Sequence, residues 1–500
     1  MVENYLLVYD TSGIKNYIFG TAKLKEIRGA SAILDILNRV KSEKIIENIC
    51  NNIEKIYTNG GTGQFILKYI DENKINLIEQ ELCNAYSKET INGVNLICGY
   101  SKLNQDKSNY QEALRECYFM INQKKNKKFS KLISGSLLSK NCESFTDSYS
   151  SLIVKTPDDN ELEYLSEFSY NKRKTNSDRL WKEFIDNSFS NIDIKEAKRP
   201  KEFSDIDKDI ALVYADGNAM GKLIKSFKQT EDYKTFADIV DSSIRKACYE
   251  TLKEIYPNPD EVKADILLLG GDDLVVVIKA SDSFDFAWKV AEKFNNLTKE
   301  ELSRKANDVL KKTGNQGFTI SVGVSIGNAN YPFRILVDQA EELLKIAKQK
   351  GSANGATDYY APAYIDFHVN KQSNQLDIKQ FRENNYKFKS KDKEYKRSIR
   401  PFSLEDSKKF SRSIREIQKN PNIGRTRIHM LREAVNENTF SKIQLKFMHS
   451  YGRIKKKEEL GEILKQFDCM INPPWNSKNE TVITDISDMI DWIKGEANEA

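Results

Sequence analysis

The stretch Leu267-Leu268-Leu269-Gly270-Gly271-Asp272-Asp273-Leu274-Val275-Val276-Val277 decides how the rest of the chain is read. Two apolar runs, each of strand length, meet at a tight turn carrying adjacent carboxylates. Runs that are apolar at every position belong to strands buried on both faces. The glycines allow dihedrals that a Cβ opposes and let a ligand approach the backbone closely. An ordinary hairpin uses Asn-Gly or Asp-Gly and leaves one charge in water. Here two anions stand together, and like charges so close repel unless a cation neutralises them. Oxygen ligands of this kind suit Mg2+ or Mn2+.

Upstream, Val213-Tyr214-Ala215-Asp216-Gly217-Asn218-Ala219-Met220-Gly221 places a carboxylate at the end of a strand, before a Gly-containing turn into a helix. If the two strands are neighbours, Asp216 converges with Asp272 and Asp273 on one metal site. Acids at the ends of adjacent strands, holding two cations, are what nucleotidyl transfer uses. Asp272 and Asp273 are then the catalytic pair, and Gly217, Asn218, Gly270 and Gly271 border the phosphates. Downstream, a helix is expected over 337–350, with Val337, Ala340, Leu344 and Ala347 as its buried stripe. Lys345 and Lys348 share another face and are placed to hold a triphosphate tail; the plainer reading is a solvated helix face.

The same order of elements occurs earlier. Residues 5–9 read as a buried strand ending at Asp10, followed by a helical stretch to about Val40. Runs 55–58 and 64–69 flank the hairpin signal Asn59-Gly60-Gly61-Thr62-Gly63, and a helix leads to a strand at 94–100. Asp10 to Gly60 is 50 residues and Asp216 to Gly270 is 54, which points to an internal duplication. The first copy has no carboxylate where Asp272 and Asp273 stand, so it is expected to be catalytically inert and to bind nucleotide only.

The 500 residues predict about three or four domains. The expected division is 1–100, a degenerate first α/β unit; 101–200, helical and irregular; 201–370, the second unit; and 371–500, a polar stretch and then a helical domain. Lys+Arg 78 against Asp+Glu 73 leaves +5, which permits a nucleic-acid partner without implying one. No run approaches the ~20 apolar residues of a membrane span. The N-terminus lacks a secretion signal, and the seven cysteines never form Cys-x-x-Cys. Reduced thiols and a cytoplasmic location are therefore expected, with no membrane partner. Three scattered histidines argue against a zinc hydrolase.

Asp10-Thr11-Ser12-Gly13-Ile14-Lys15-Asn16-Tyr17-Ile18-Phe19 and Leu24-Lys25-Glu26-Ile27-Arg28-Gly29-Ala30-Ser31 resemble the first palm of the large, polymerase-like subunit of type III CRISPR effector complexes. The Asp216 segment and Gly270–Asp273 resemble its second palm. The resemblance implies an α/β (α+β) chain with two ferredoxin-like, nucleotidyl-cyclase-like palm domains, a helical linker and a C-terminal helical domain. It also implies two ATP molecules between the palms, joined 3′–5′ into a cyclic oligonucleotide messenger for antiviral defence. By position, Asp216, Asp272 and Asp273 would hold Mg2+ or Mn2+, Lys348 and Lys345 would contact phosphate, and Ser12 and Ser31 would line the first-palm nucleotide site. RNA and small CRISPR-type subunits are the implied partners.

Three departures from the family pattern are visible. The chain starts at the first palm strand, so no HD nuclease, and hence no DNA cleavage, is expected. Paired cysteines between the palms are missing, so no zinc is expected. Asp216-Gly217-Asn218 stands where the family often has Asp-Gly-Asp. Two other readings stay open: an RNA-binding structural subunit, favoured by the basic runs at 124–128, 172–174 and 453–457, and a GGDEF-type dinucleotide cyclase.

Overall fold

The computed structural model describes residues 3–126, 140–144, 149–155, 162–175, 177–189, 198–371, 377–390 and 393–493. Lys127 and Lys128 of the first basic run lie outside them. The first unit runs β1 (Glu3–Ser12), α1 (Ile14–Phe19), α2 (Leu24–Ile36), β2 (Ile53–Asn59), β3 (Thr62–Ile70), α3 (Glu72–Thr90), β4 (Asn95–Leu103) and α4 (Tyr110–Asn126). Its four strands form one antiparallel sheet in the order β2-β3-β1-β4. The unbroken apolar run of β1 follows from burial on both faces. Tyr5, Leu7 and Tyr9 pack in one core with α3, and Leu6 and Val8 pack in another with Ala113 and Cys117 of α4.

A small hairpin, β5 (Leu152–Lys155) and β6 (Leu162–Leu165), and helices α5 (Glu167–Lys174) and α6 (Arg179–Ser188) lead to the second unit. That unit comprises β7 (Asp209–Gly217), α7 (Thr230–Ile255), β8 (Ala264–Gly270), β9 (Asp273–Lys279), α8 (Ala280–Lys305), β10 (Ile320–Asn328) and α9 (Phe333–Ala353). Strands β8-β9-β7-β10 repeat the order of the first sheet, and β11 (Tyr364–Val369), parallel to β10, extends it. Ala211, Val213 and Ala215 face α7 and α8, while Leu212 and Tyr214 face α9.

The duplication holds residue by residue. Asp10 pairs with Ile97 as Asp216 pairs with Ser321, which aligns Gly99 with Gly323. A Cβ on Gly99 would run into the Cys117 carbonyl of α4, and a Cβ on Gly323 into the Ala340 carbonyl of α9. In both units a glycine therefore lets the last helix lie directly on the last strand. Eight residues beyond each contact stands a lysine, Lys125 or Lys348, in an ion pair with Asp10 or Asp216. The hairpins correspond one residue away from the alignment expected from Gly60 and Gly270. Asn59 closes its turn on Thr62 as Gly270 closes on Asp273, so Gly61 and Thr62 occupy the places of Asp272 and Asp273.

The C-terminal part is not wholly helical. The ribbon of β12 (Lys387–Ser390) and β13 (Lys393–Lys396) stacks Phe388 on Tyr395 against Trp475, filling a core where the sequence reads as charged. The two-residue β14 (Phe402–Ser403) pairs with β11 and completes a six-stranded sheet. Helices α10 (Leu404–Lys419), α11 (Arg425–Val435), α12 (Phe440–Gly452), α13 (Lys457–Lys465) and α14 (Ile483–Met489) follow. Arg400 ties this part to the sheet, buried between Asp485 at 2.7 Å and Asp488 at 3.0 Å. The two sheet units are joined by Arg28 of α2, which meets the buried Asp265 of β8 at 2.5 Å, with Arg199 on the same carboxylate at 3.1 Å. No described helix is long and apolar enough to cross a membrane.

Overpacking a close strand–helix contact typically costs about 1–3 kcal/mol. Gly323→Ala is expected to destabilise the chain by that order in denaturant unfolding. It should also cost more than Gly221→Ala, where a Cβ meets nothing within 4 Å.

Candidate active site

Asp216 ends β7 with its side chain about one-third exposed. Continuing the β7–β9 register one step past Ala215↔Leu274 sets Asp273 opposite it. Asp272 follows Gly271, whose φ of 63° favours glycine, and its carboxyl lies within hydrogen-bond reach of Asp216. Gly217 forms the floor, since a Cβ there would be 2.5 Å from Asp272 Oδ2. Lys348, from α9, donates to Asp216 and to the Gly217 carbonyl at 2.7 Å.

The electrostatics follow from this crowding. Burial, and then the Asp216 charge, push the Asp272 carboxyl up to about 7, with Lys348 opposing. Burial and the two neighbouring carboxylates drive Asp273 well above the usual range against Lys348 and Lys15. Among the described residues no three His, Cys, Asp or Glu side chains form a ready-made metal cage. The expected three-ligand set is therefore drawn together as one touching pair, Asp216 and Asp272, with Asp273 beside it. The chemistry of that pair fits a divalent cation, because a second positive charge removes the repulsion that Lys348 only partly offsets.

Other expected residues stand differently. Asn218, at the position of the missing anion, turns inward: its side chain donates to Thr319 Oγ1 and its N–H to the Thr319 carbonyl, both at 2.9 Å. It ties the end of β7 to the start of β10. Lys345 is exposed and paired with Glu341 at 2.7 Å, which also takes Lys15 at 2.5 Å. Ser12 donates to the Asn95 carbonyl at the start of β4. Of the basic runs, 453–457 is exposed except for Ile454, while four residues of the other two are engaged within the chain. Lys125 holds Asp10, Lys124 holds Glu79, Lys172 is buried over Phe168 and Tyr17, and Arg173 holds Glu26 and Glu163.

Between the two hairpins lies a cavity of about 190 Å3. Ser31, Gly270 and Asp273 line it, and so do Lys15, Asn59 and Tyr214, which sequence reasoning did not single out. Lys15 and Asn59 lie inside stretches quoted for other reasons, so only the meeting of the two units reveals them. In the first unit Asp10 faces Thr62 and Lys125 with no second acid, and it is satisfied by a single cation.

Two α/β units of one strand order, the second with a carboxylate-bearing hairpin beside its first strand, define a paired palm architecture. Family models match both: "Csm1 subunit domain B" over residues 4–142 and "Cas10/Cmr2, second palm domain" over residues 209–357. The chain belongs to the large-subunit family of type III CRISPR effector complexes. The crystal structure of Csm1 from T. onnurineus is similar with a TM-score of 0.54 and 15% identity, over 99% of this chain and 70% of that one. Csm1-Csm4 cassettes crystallised with pppApA and with cA4 each score 0.49 at 14% identity, over 70% and 83% of this chain. The chain spans 53% and 62% of the length of those two. No curated protein matches it.

Because the folded chain holds the Asp272 proton up to about pH 7, against an ordinary value of 3.8, its stability contribution is complete below 3.8 and is lost as pH rises through 7. Without divalent cations, the melting temperature of the wild type should fall relative to Asp272→Asn across that interval. Added Mn2+ should close the difference at pH 8.

Proposed function

We propose that the chain is a nucleotidyltransferase that joins ATP through 3′–5′ linkages into a cyclic oligoadenylate messenger, using Mg2+ or Mn2+. The observation that carries this reading is the carboxylate cluster of Asp216, Asp272 and Asp273, with Lys348 on it, at the edge of a cleft closed by the other palm. Membership of a type III CRISPR family makes an RNA-guided complex with smaller subunits the setting we propose for that synthesis.

Asp216 and Asp272, with Asp273 alongside, would hold the metal. A divalent ion bound there supplies charge for the attacking 3′-hydroxyl and the α-phosphate. With a cation held by Asp216, Lys348 would be free to turn its ammonium toward the triphosphate, where it would stabilise the charge that builds on the leaving pyrophosphate. Gly217 and Gly271 keep side chains off the path of the phosphates. The first palm, with Thr62 and Gly61 in place of the acids, contributes a nucleotide-binding wall through Ser31 and no chemistry. Lys124, Lys125, Lys172 and Arg173 are engaged within the chain, whereas Arg453, Lys455, Lys456 and Lys457 are exposed, so of the basic runs the third still offers RNA an open surface.

The test is product analysis after incubation of the purified chain, alone and with partner subunits and RNA, with each nucleoside triphosphate and Mg2+ or Mn2+. Pyrophosphate and a 3′–5′-linked adenylate ring are expected from ATP. The Asp272→Ala/Asp273→Ala double variant should stay folded and make none. Lys348→Ala should lower kcat by about 10²-fold, the usual cost of one lost charge-stabilising donor. A ring formed only from GTP would replace this reading with a dinucleotide cyclase. Undiminished product from the double variant would refute the site.

A further inference from the structure

The Gly-Gly-Asp-Asp turn is gripped by a residue that carries no metal. Asp241 and Arg245 lie one turn apart on α7 and are paired at 3.1 Å. Asp241 accepts the Gly271 N–H at 3.1 Å, and Arg245 donates to the Leu269 carbonyl at 3.1 Å. The two side chains thus hold the backbone on both sides of Gly270.

The same Asp241 carboxylate also receives the first palm. The Asn59 amide donates to it, and Arg39, on the π turn Leu37–Lys41 that continues α2, reaches it at 3.1 Å. Asn59 Oδ1 rests over Gly270, where a Cβ would collide with it, and the Tyr57 hydroxyl stands 2.9 Å from the position of a Cβ on Gly271. Asn59 and Tyr57, which reach the turn, lie on one hairpin of the inert palm, and Arg39, which reaches Asp241, lies on the turn that continues α2.

We infer that Asp241 is a positioning residue through which the inert palm sets the place of the Asp272-Asp273 turn relative to Asp216. The inference rests on the nucleotidyl-transfer reading of that site. Its physical basis is that a carboxylate shared by a backbone N–H, an amide and two guanidinium groups has little freedom, so the turn inherits its position. A docked first palm completes the set of donors; an undocked one would remove Asn59 and Arg39 and leave Asp241 to Arg245 and the Gly271 N–H. The degenerate palm would in this way license the metal site of the other.

The experiment compares full-length wild type, Asp241→Ala, Asp241→Asn and Arg39→Gln. Hydrogen exchange of a peptide spanning Leu268–Val275 and binding of Mn2+ alone are read without turnover; kcat and KM for ATP are read with it. In Asp241→Ala the peptide should lose protection while β7 keeps it. Mn2+ affinity and kcat should each fall about 10-fold or more, as expected for loss of a supporting partner, with KM little changed. Asp241→Asn, which keeps an acceptor for the Gly271 N–H, should recover part of both losses, and Arg39→Gln should reproduce the losses from the other palm. Unchanged exchange and Mn2+ affinity in Asp241→Ala would overturn the inference, and so would a loss in KM alone. A wild type without product refutes only the nucleotidyl-transfer reading, because the exchange and Mn2+ measurements still decide the role of Asp241.

Discussion

Three carboxylates are crowded at one end of a buried sheet, with Lys348 on one of them and Lys15 farther off. Asp216 and Asp273 are carried there by the neighbouring strands β7 and β9, and Asp272 by the turn that joins β8 to β9. Lys348 neutralises one charge, and burial holds the proton on Asp272 up to about pH 7. The geometry is tolerable protonated and favourable with a divalent cation. Two glycines, Gly217 beneath Asp272 and Gly323 beneath α9, provide the space that brings acids and lysine together.

The first palm is the same device with the charge removed. Asp10, Lys125, Gly99 and the hairpin stand in matching places, but Gly61 and Thr62 replace the acidic pair. One acid and one lysine balance, and nothing there calls for a second cation. What the first palm retains is a surface: its hairpin and α2 close the cleft and reach Asp241.

Much of this was legible in the sequence where burial leaves a local trace. Apolar runs at 5–9 and 210–214, glycine-rich turns, and the 337/340/344/347 stripe are imposed by packing within a unit, so strands, turns and the Lys348 helix could be read directly. Contacts between distant segments leave no such trace. Nothing near Asn218 announces Thr319, nothing near Asp241 announces Gly271, and Lys172 looks like a surface charge until Phe168 and Tyr17 enclose it. The two-residue strand at Phe402 is too short for any period, and the aromatic ribbon at 387–396 is hidden among lysines.

Location of Mn2+ by anomalous scattering in crystals of the wild-type chain tests the account most directly. It predicts density bonded to Asp216 and Asp272, with Lys348 moved off Asp216, and none at Asp10. Mn2+ bound at Asp10, or bound elsewhere while the Asp216–Lys348 pair stays closed, would contradict it.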